Sequence, residues 1–353
     1  MSEQIAVVVT SISAPNESLR AVANGAIRTG AEFIVVGDTK SPPDFELEGC
    51  EFYDVARQRE SGLAYAALCP TRSYARKNIG YLLAIRSGAS LILETDDDNI
   101  PREGFWSERQ LTVEAPVVLD AGWLNVYRYF SDALIWPRGL PLDAVLQPTP
   151  ELETLPTEAR ECPIQQGLAD GDPDVDAIYR LLLPLPQNFR SDRRVILGAR
   201  TWCPFNSQNT SWWPQAYPLL YLPAHCSFRM TDIWRSFVAQ RIAWGNDWSI
   251  LFHEATVWQG RNEHHLMQDF TQEVPGYVHN RAIGAALDEI EIRPGIDHIG
   301  DNLRACYEAL VRAGWVGAEE LPLLDAWLAD LAELASPGAS QADKASAPLA
   351  RAQ

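Results

Sequence analysis

The sequence predicts an α/β fold laid out on a parallel sheet. Two short, almost wholly apolar runs, residues 5–9 and 32–36, flank a stretch of helical period at residues 18–28. A further helix fits "SYARKNIGYLLAIRSGA", closed by Ser87-Gly88, and the strand "SLILET" follows it. Apolar runs that alternate with helices in this way suit a sheet covered on both faces. Farther on, a strand is expected over residues 249–252 and a helix from Thr231, with Ile233, Trp234, Phe237, Val238 and Ile242 on its buried face and Thr231 placed to cap it. Helices are expected at residues 302–313 and 319–334. The tail from residue 336 to 353 is poor in bulky apolar side chains and reads as disordered.

Composition narrows the function. A chain of 353 residues, 46% hydrophobic, can bury a substantial core. Its net charge of −18 leaves no basic field for a nucleic-acid backbone or an anionic membrane. The N-terminal "MSEQIAVVVTSIS" has no basic region leading into a long apolar stretch. No run approaches the roughly 18 apolar residues of a transmembrane segment, so a cytoplasmic location is expected. Cys50, Cys69, Cys162, Cys203, Cys226 and Cys306 are scattered without a CxxC, which fits reduced core thiols.

In parallel sheets, ligands gather at the carboxyl ends of the strands, and the unusual polar residues fall there. Thr10 and Ser11 follow the first strand, Asp38 and Lys40 the second, and Asp96, Asp97 and Asp98 the third. If strand character persists through the triplet, Asp96 and Asp98 face one way and Asp97 the other. Two carboxylates on one side make a hard oxygen site suited to Mg²⁺ or Mn²⁺, with places left for phosphate oxygens. The alternative is an acidic turn in water, with Asn99-Ile100-Pro101 completing the bend. "TRSYARKNIG" supplies Arg72, Arg76 and Lys77; Arg76 and Lys77 fall early in a helix, where cations oppose its dipole, and a phosphate partner would explain them, the alternative being a basic helical face paired with surface carboxylates. Asp170, Asp172, Asp174 and Asp176 alternate in "GLADGDPDVDAIYRL", and their Asp-Gly and Asp-Pro steps favour a solvated loop over the rim of a sugar pocket. The many tryptophans of the second half, Trp202 to Trp258, are expected in the core rather than as sugar platforms.

"VVGDTKSP", "RSYARKNIGYLLAIRSGA" and "ETDDDNIP" resemble signature blocks of the STELLO-type glycosyltransferase-like family and, more distantly, of the reversibly glycosylated polypeptides that include UDP-arabinopyranose mutases. "GLADGDPDVDAIYRL", "PFNSQNT", "RMTDIWRSFVAQRIAW" and "QGRNEHHLMQDFTQEVPGY" extend the resemblance in the same order, from about Ile5 to Val278. The resemblance implies a GT-A fold, a Rossmann-like α/β sandwich for nucleotide-diphospho-sugar transfer. It would occupy residues 1–280, with a nucleotide-binding half at 1–115, an acceptor half at 116–280 and a helical extension at 281–335.

The same resemblance implies roles for individual residues. Thr10, Ser11 and Ile12 would lie beside the base and ribose, with Asp38 and Lys40 nearby, while Arg76, Lys77 and Asn78 approach the ribose and diphosphate. Asp96, Asp97 and Asp98 match the DxD position, with Asp98 as direct metal ligand and Asp96 next. His264 matches a histidine that completes the metal shell, and Arg261 would close over the diphosphate. Asp232, in the first turn of its helix with Arg235, is the expected base for the attacking hydroxyl in an inverting reaction; in a retaining one it would bind the acceptor. The implied activity is metal-dependent transfer of a sugar, from a UDP-sugar by preference, to a carbohydrate or other hydroxyl acceptor, with Mn²⁺ or Mg²⁺ as cofactor. A nucleotide-sugar mutase and a non-catalytic nucleotide-sugar-binding module are the alternatives.

Overall fold

The computed structural model describes residues 4–260 and 265–336. Its first half runs β1 (Ile5–Thr10), α1 (Glu17–Thr29), β2 (Glu32–Val36), β3 (Glu51–Tyr53), α2 (Val55–Arg59), α3 (Ala64–Leu68), α4 (Lys77–Arg86) and β4 (Leu91–Thr95). The second runs β5 (Asn99–Pro101), β6 (Thr112–Val118), β7 (Gly122–Trp123), β8 (Thr157–Glu161), β9 (Ile164–Gly171), α5 (Ala177–Leu182), β10 (Arg194–Leu197), β11 (Thr201–Trp202), β12 (Asn209–Trp212), α6 (Thr231–Gly245) and β13 (Ile250–Gln259). Helices α7 (Leu266–Asp288), α8 (Ile299–Arg312) and α9 (Glu320–Leu334) complete the chain.

The expected parallel unit is present, in the order β3-β2-β1-β4. β1 and β4 are apolar because helices cover both faces: Val7 and Val9 point to one core layer, Ala6 and Val8 to the other. Asn16 caps α1 through a 2.9 Å bond from the Leu19 amide. Helix α4 lies unusually close to the sheet, which only a glycine allows. A Cβ at Gly80 would sit 2.6 Å from Val8 Cγ1 and 2.8 Å from Val36 Cγ2.

Past β4 the sheet becomes mixed and continues β12-β9-β13-β10-β6-β8. β12 runs antiparallel to both β4 and β9, while β13 is parallel to β9 and pairs antiparallel with β5. This one α/β sandwich agrees with the fold class expected of a GT-A architecture. Its registers also build the site. Asn209 stands opposite Thr95, so the residues just before β12 meet the end of β4, and Gln259 stands opposite Asn99, next to the aspartates.

The boundary drawn at residue 280 falls inside α7, and the C-terminal helices are stitched into the main core. Leu303, Tyr307, Leu310, Leu324 and Trp327 belong to the same buried cluster as β1 and α4. Both Asp330 oxygens accept backbone amides at the start of α3, from Ala64 and Tyr65, each at 2.8 Å. Trp202, Trp212, Trp213, Trp234 and Trp248 are buried, as expected of core residues, while Trp258 is exposed. The cysteines are free. Among the described residues no helix is long and apolar enough to cross a membrane. Apart from Ser336, the tail expected to be disordered lies outside the described residues.

Candidate functional site

A cleft of about 570 Å³ opens at the carboxyl ends of β1, β2 and β4, within the range of small-ligand pockets. Thr10, Ser11, Ile12, Asp38, Lys40, Asp96, Asp97, Asp98 and Asp232 all line it, as do Tyr74, Arg138, Asp174, Ser207, Gln208, Phe228 and Gln259. Sequence positions 10 and 259 thus meet in one place.

The aspartate triplet does not continue the strand. β4 ends at Thr95 and a turn follows, so the expected alternation of side chains is replaced by three separate anchorages. Asp96 Oδ1 accepts the Tyr74 hydroxyl at 2.7 Å and Lys77 Nζ at 3.1 Å. Asp97 Oδ2 accepts the Ser11 hydroxyl at 2.6 Å. Burial pushes the Asp97 carboxyl above its usual range, against the lowering effect of Ser11. Asp98 Oδ2 accepts Gln259 Nε2 at 3.1 Å, and Gln208 Nε2 donates to Gln259 Oε1 at 2.6 Å. The acidic turn is therefore braced from β1, α4, β12 and β13 rather than lying free in water.

At the inner end, Arg138 clamps two carboxylates. Its Nε and Nη2 donate to Asp174 at 2.7 and 2.9 Å, and Nη1 and Nη2 donate to Asp232 at 3.1 and 2.9 Å. Burial alone would raise the Asp232 carboxyl, but the Arg138 guanidinium outweighs it and holds the group at about 2. Asp232 Oδ2 also accepts the Ser207 amide at 3.3 Å and hydroxyl at 3.4 Å. The Ser207 hydroxyl also lies 2.6 Å from that of Tyr74; its single proton goes either to Asp232 or to Tyr74, whose own proton is on Asp96, and the Ser207 amide bonds Asp232 in both cases.

Several expected assignments change. Arg235 does not reach the cleft: it is 1% exposed and forms a bidentate pair with Glu94 at 2.9 and 2.8 Å. Arg76 is buried, with its guanidinium bonded to the Cys69 and Pro70 carbonyls and to Gln58. Lys77 is also buried, and besides Asp96 it donates to Tyr74, Thr95 O and Ser207 O, so it supports the site from beneath. Asn78 joins Tyr65 to Leu222 in the core. The cations of this helix are explained by protein partners. Thr231 is the first residue of α6 rather than its cap. The aspartates at 170–176 are not a solvated loop: Asp170, Asp174 and Asp176 are buried, engaging Arg102, Arg138 and Trp136 respectively. Arg261 and His264 lie outside the described residues.

A family model described as STELLO glycosyltransferases matches residues 229–340, from the edge of the cleft through α9. Two curated relatives from Arabidopsis thaliana, "Probable glycosyltransferase STELLO2" and "Probable glycosyltransferase STELLO1", are 29% identical over 261 residues and 30% identical over 259. This chain is similar to the STELLO glycosyltransferases. Each alignment covers 67% of the chain and 33% of the relative, so the chain spans about a third of the length of the STELLO proteins it matches. A solved structure titled "Crystal Structure of a Mycobacterial Protein" aligns with a TM-score of 0.37 and 11% identity, over 80% of this chain and 75% of that one. The STELLO match takes in Arg229 and Asp232 of the cleft together with the C-terminal helices.

Among the described residues no group of three or more His, Cys, Asp or Glu side chains is set to hold an ion by itself. The donors present nonetheless fit a hard cation. Mg²⁺ and Mn²⁺ accept one or two carboxylates and take their remaining ligands from water and phosphate, and Asp96 and Asp98 both border the cleft. Sequence reading overlooked Tyr74, Arg138, Ser207, Gln208 and Gln259, and assigned Asp174 to a solvated loop. Tyr74, Asp174, Ser207, Gln208 and Gln259 lie within the quoted blocks, but Arg138, in "WPRGL", carries no local signal.

Proposed function

We propose that this chain is a glycosyltransferase that binds a nucleotide-sugar donor in the cleft at the ends of β1, β2 and β4. The observation that carries this reading is the braced aspartate turn at the end of β4 inside that cleft, in a chain similar to STELLO glycosyltransferases. Thr10, Ser11, Ile12 and Asp38 would receive the base and ribose, with Lys40 at the rim. A UDP-sugar is the favoured donor. Asp98 and Asp96 would hold Mn²⁺ or Mg²⁺, with Asp97 fixed by Ser11. The ion, when bound, supplies positive charge against the departing diphosphate. The sugar would then extend toward Ser207, Asp174 and Asp232, near the exposed ring of Phe228.

Asp232 is better suited to positioning than to taking a proton. A carboxylate held near 2, with Arg138 and Ser207 on its oxygens, has little affinity for the proton of an attacking hydroxyl. Its role is to keep Arg138 and Ser207 in place at the sugar end. Nucleotide release measured over a panel of nucleotide-sugar donors, with and without hydroxyl acceptors and with Mn²⁺ or excess chelator, tests the proposal. Donor-dependent release that Asp98→Ala abolishes is expected. A rearranged nucleotide sugar formed from donor alone would identify a mutase, and tight donor binding without turnover on any acceptor would identify a binding module.

A further inference from the structure

Of the cations expected to meet phosphate, Arg76 borders the cleft and Lys77 lies beneath it, both buried among protein acceptors, while Arg261 lies outside the described residues; Lys40 is exposed at the rim. Arg138 is held by two aspartates, and Arg229 is paired with Glu273 at 3.0 Å. Arg72 differs from these arginines. It lines the cleft, its side chain is exposed, and it makes no hydrogen bond or ion pair with any described residue. Six aspartates line the same cleft, yet none has captured it.

Its backbone explains how it is held. Arg72 has φ +57°, in the left-handed region that non-glycine residues seldom occupy. Among the described residues only Asp120, Arg200 and Asp247 share that feature outside glycine, and none of these lines the cleft. Such a conformation persists where the surroundings over-determine it, and here they do. On one side Arg76 Nη1 donates to the Cys69 and Pro70 carbonyls, each at 3.2 Å. On the other, the Ser73 amide donates to Asp38 Oδ2 at 3.1 Å, and the Ser73 carbonyl accepts the Arg76 amide at 3.2 Å. The buried Arg76 thus acts on the backbone that presents Arg72.

We infer that Arg72 is the side chain that binds the diphosphate of the donor, an inference that rests on reading the cleft as a nucleotide-sugar site. A planar guanidinium matches two phosphate oxygens at once. Holding it beforehand in the required direction reduces the ordering lost on binding.

The test is calorimetric titration of the full chain, in Mn²⁺, with UDP, GDP and ADP and with the matching nucleosides. Arg72→Gly is the informative variant, because glycine takes the left-handed backbone without strain. Loss of a charge-assisted pair predicts affinity for the diphosphate lower by about tenfold or more. Nucleoside affinity should be unchanged and the melting temperature no lower than wild type, while Arg72→Lys, which keeps the charge without the fork, should fall between. Unchanged diphosphate affinity in Arg72→Gly would overturn the inference, as would equal losses for nucleoside and diphosphate. A wild-type chain that binds none of the three diphosphates would defeat the donor-site reading itself, and this inference with it.

Discussion

Replacing Arg235 with methionine separates a structural arginine from a catalytic one. The guanidinium lies on Glu94 in the core and also packs over the Trp212 ring, 5.0 Å from its centroid. With it gone, Glu94 keeps only the Trp212 indole at 2.8 Å and the Tyr81 hydroxyl as partners, and one carboxylate charge is left buried without a counter-charge. Breaking such a pair costs about 3–5 kcal/mol, whereas replacing both members by uncharged groups is often close to neutral. An unfolding entropy of roughly 2.1 cal/mol/K per residue over 353 residues amounts to about 0.7 kcal/mol/K. Arg235→Met should therefore lower the melting temperature by about 4–7 °C, and the double variant Glu94→Gln/Arg235→Met should recover most of the loss. Differential scanning calorimetry of the wild type, both single variants and the double variant measures this. Titration with nucleotide diphosphate below the melting range should give the wild-type affinity, because Arg235 is absent from the cleft. An unchanged melting temperature combined with lost binding or turnover would refute the reasoning and return Arg235 to the site.

Two further outcomes follow from the charges. Burial pushes the Asp176 carboxyl up to about 6, against the lowering effect of its bond from the Trp136 indole. The folded chain thus holds this proton more tightly than the unfolded one, and the contribution, full below pH ~4, is lost as pH rises toward 6, by on the order of 2–3 kcal/mol. Urea unfolding at pH 4.5 and 7 should show that slope in the wild type and a flatter one in Asp176→Asn; an unaltered slope would mean that Asp176 is not its source. The second concerns the metal. Lys77 on Asp96 and Ser11 on Asp97 leave the triplet a poor cage by itself, so Mn²⁺ should bind weakly alone and at least about tenfold more tightly with a nucleotide diphosphate, with the same factor in reverse for the nucleotide. Tight Mn²⁺ binding that is indifferent to nucleotide would contradict this.

The parts of the fold legible in the sequence are those whose cause is local. β1, β2 and β4 were visible because strands buried on both faces must be apolar throughout, and α1 because one face is buried and the other wet. The position of β12 was not visible. It enters antiparallel between β4 and β9, more than a hundred residues beyond β4 in sequence, and no periodicity specifies a neighbour at that distance. Asp170 to Asp176 were misread for the same reason. Asp-Gly and Asp-Pro are turn dipeptides in isolation, but Arg102 and Arg138 supply counter-charges from distant segments, and paired carboxylates can be buried where lone ones cannot.

The site divides along the same line. Residues expected in the cleft because they follow a strand, such as Ser11, Asp38 and Asp96 to Asp98, do line it, because the sheet places them there. Residues whose role depends on side-chain direction were exchanged for their neighbours. In "TRSYARK" three cations stand within six positions, and a single count of charge cannot tell which faces the cleft. The backbone makes that choice: the 3₁₀ turn at Tyr74–Arg76 and the helix that follows turn Arg76 and Lys77 into the core, while the left-handed residue before Ser73 turns Arg72 outward. The buried pair then becomes the support for what the cleft presents, Lys77 under Asp96 and Arg76 under the loop of Arg72. A run of basic residues beside an acidic turn is in this chain a division of labour between charges that hold the site and one left free to meet a ligand.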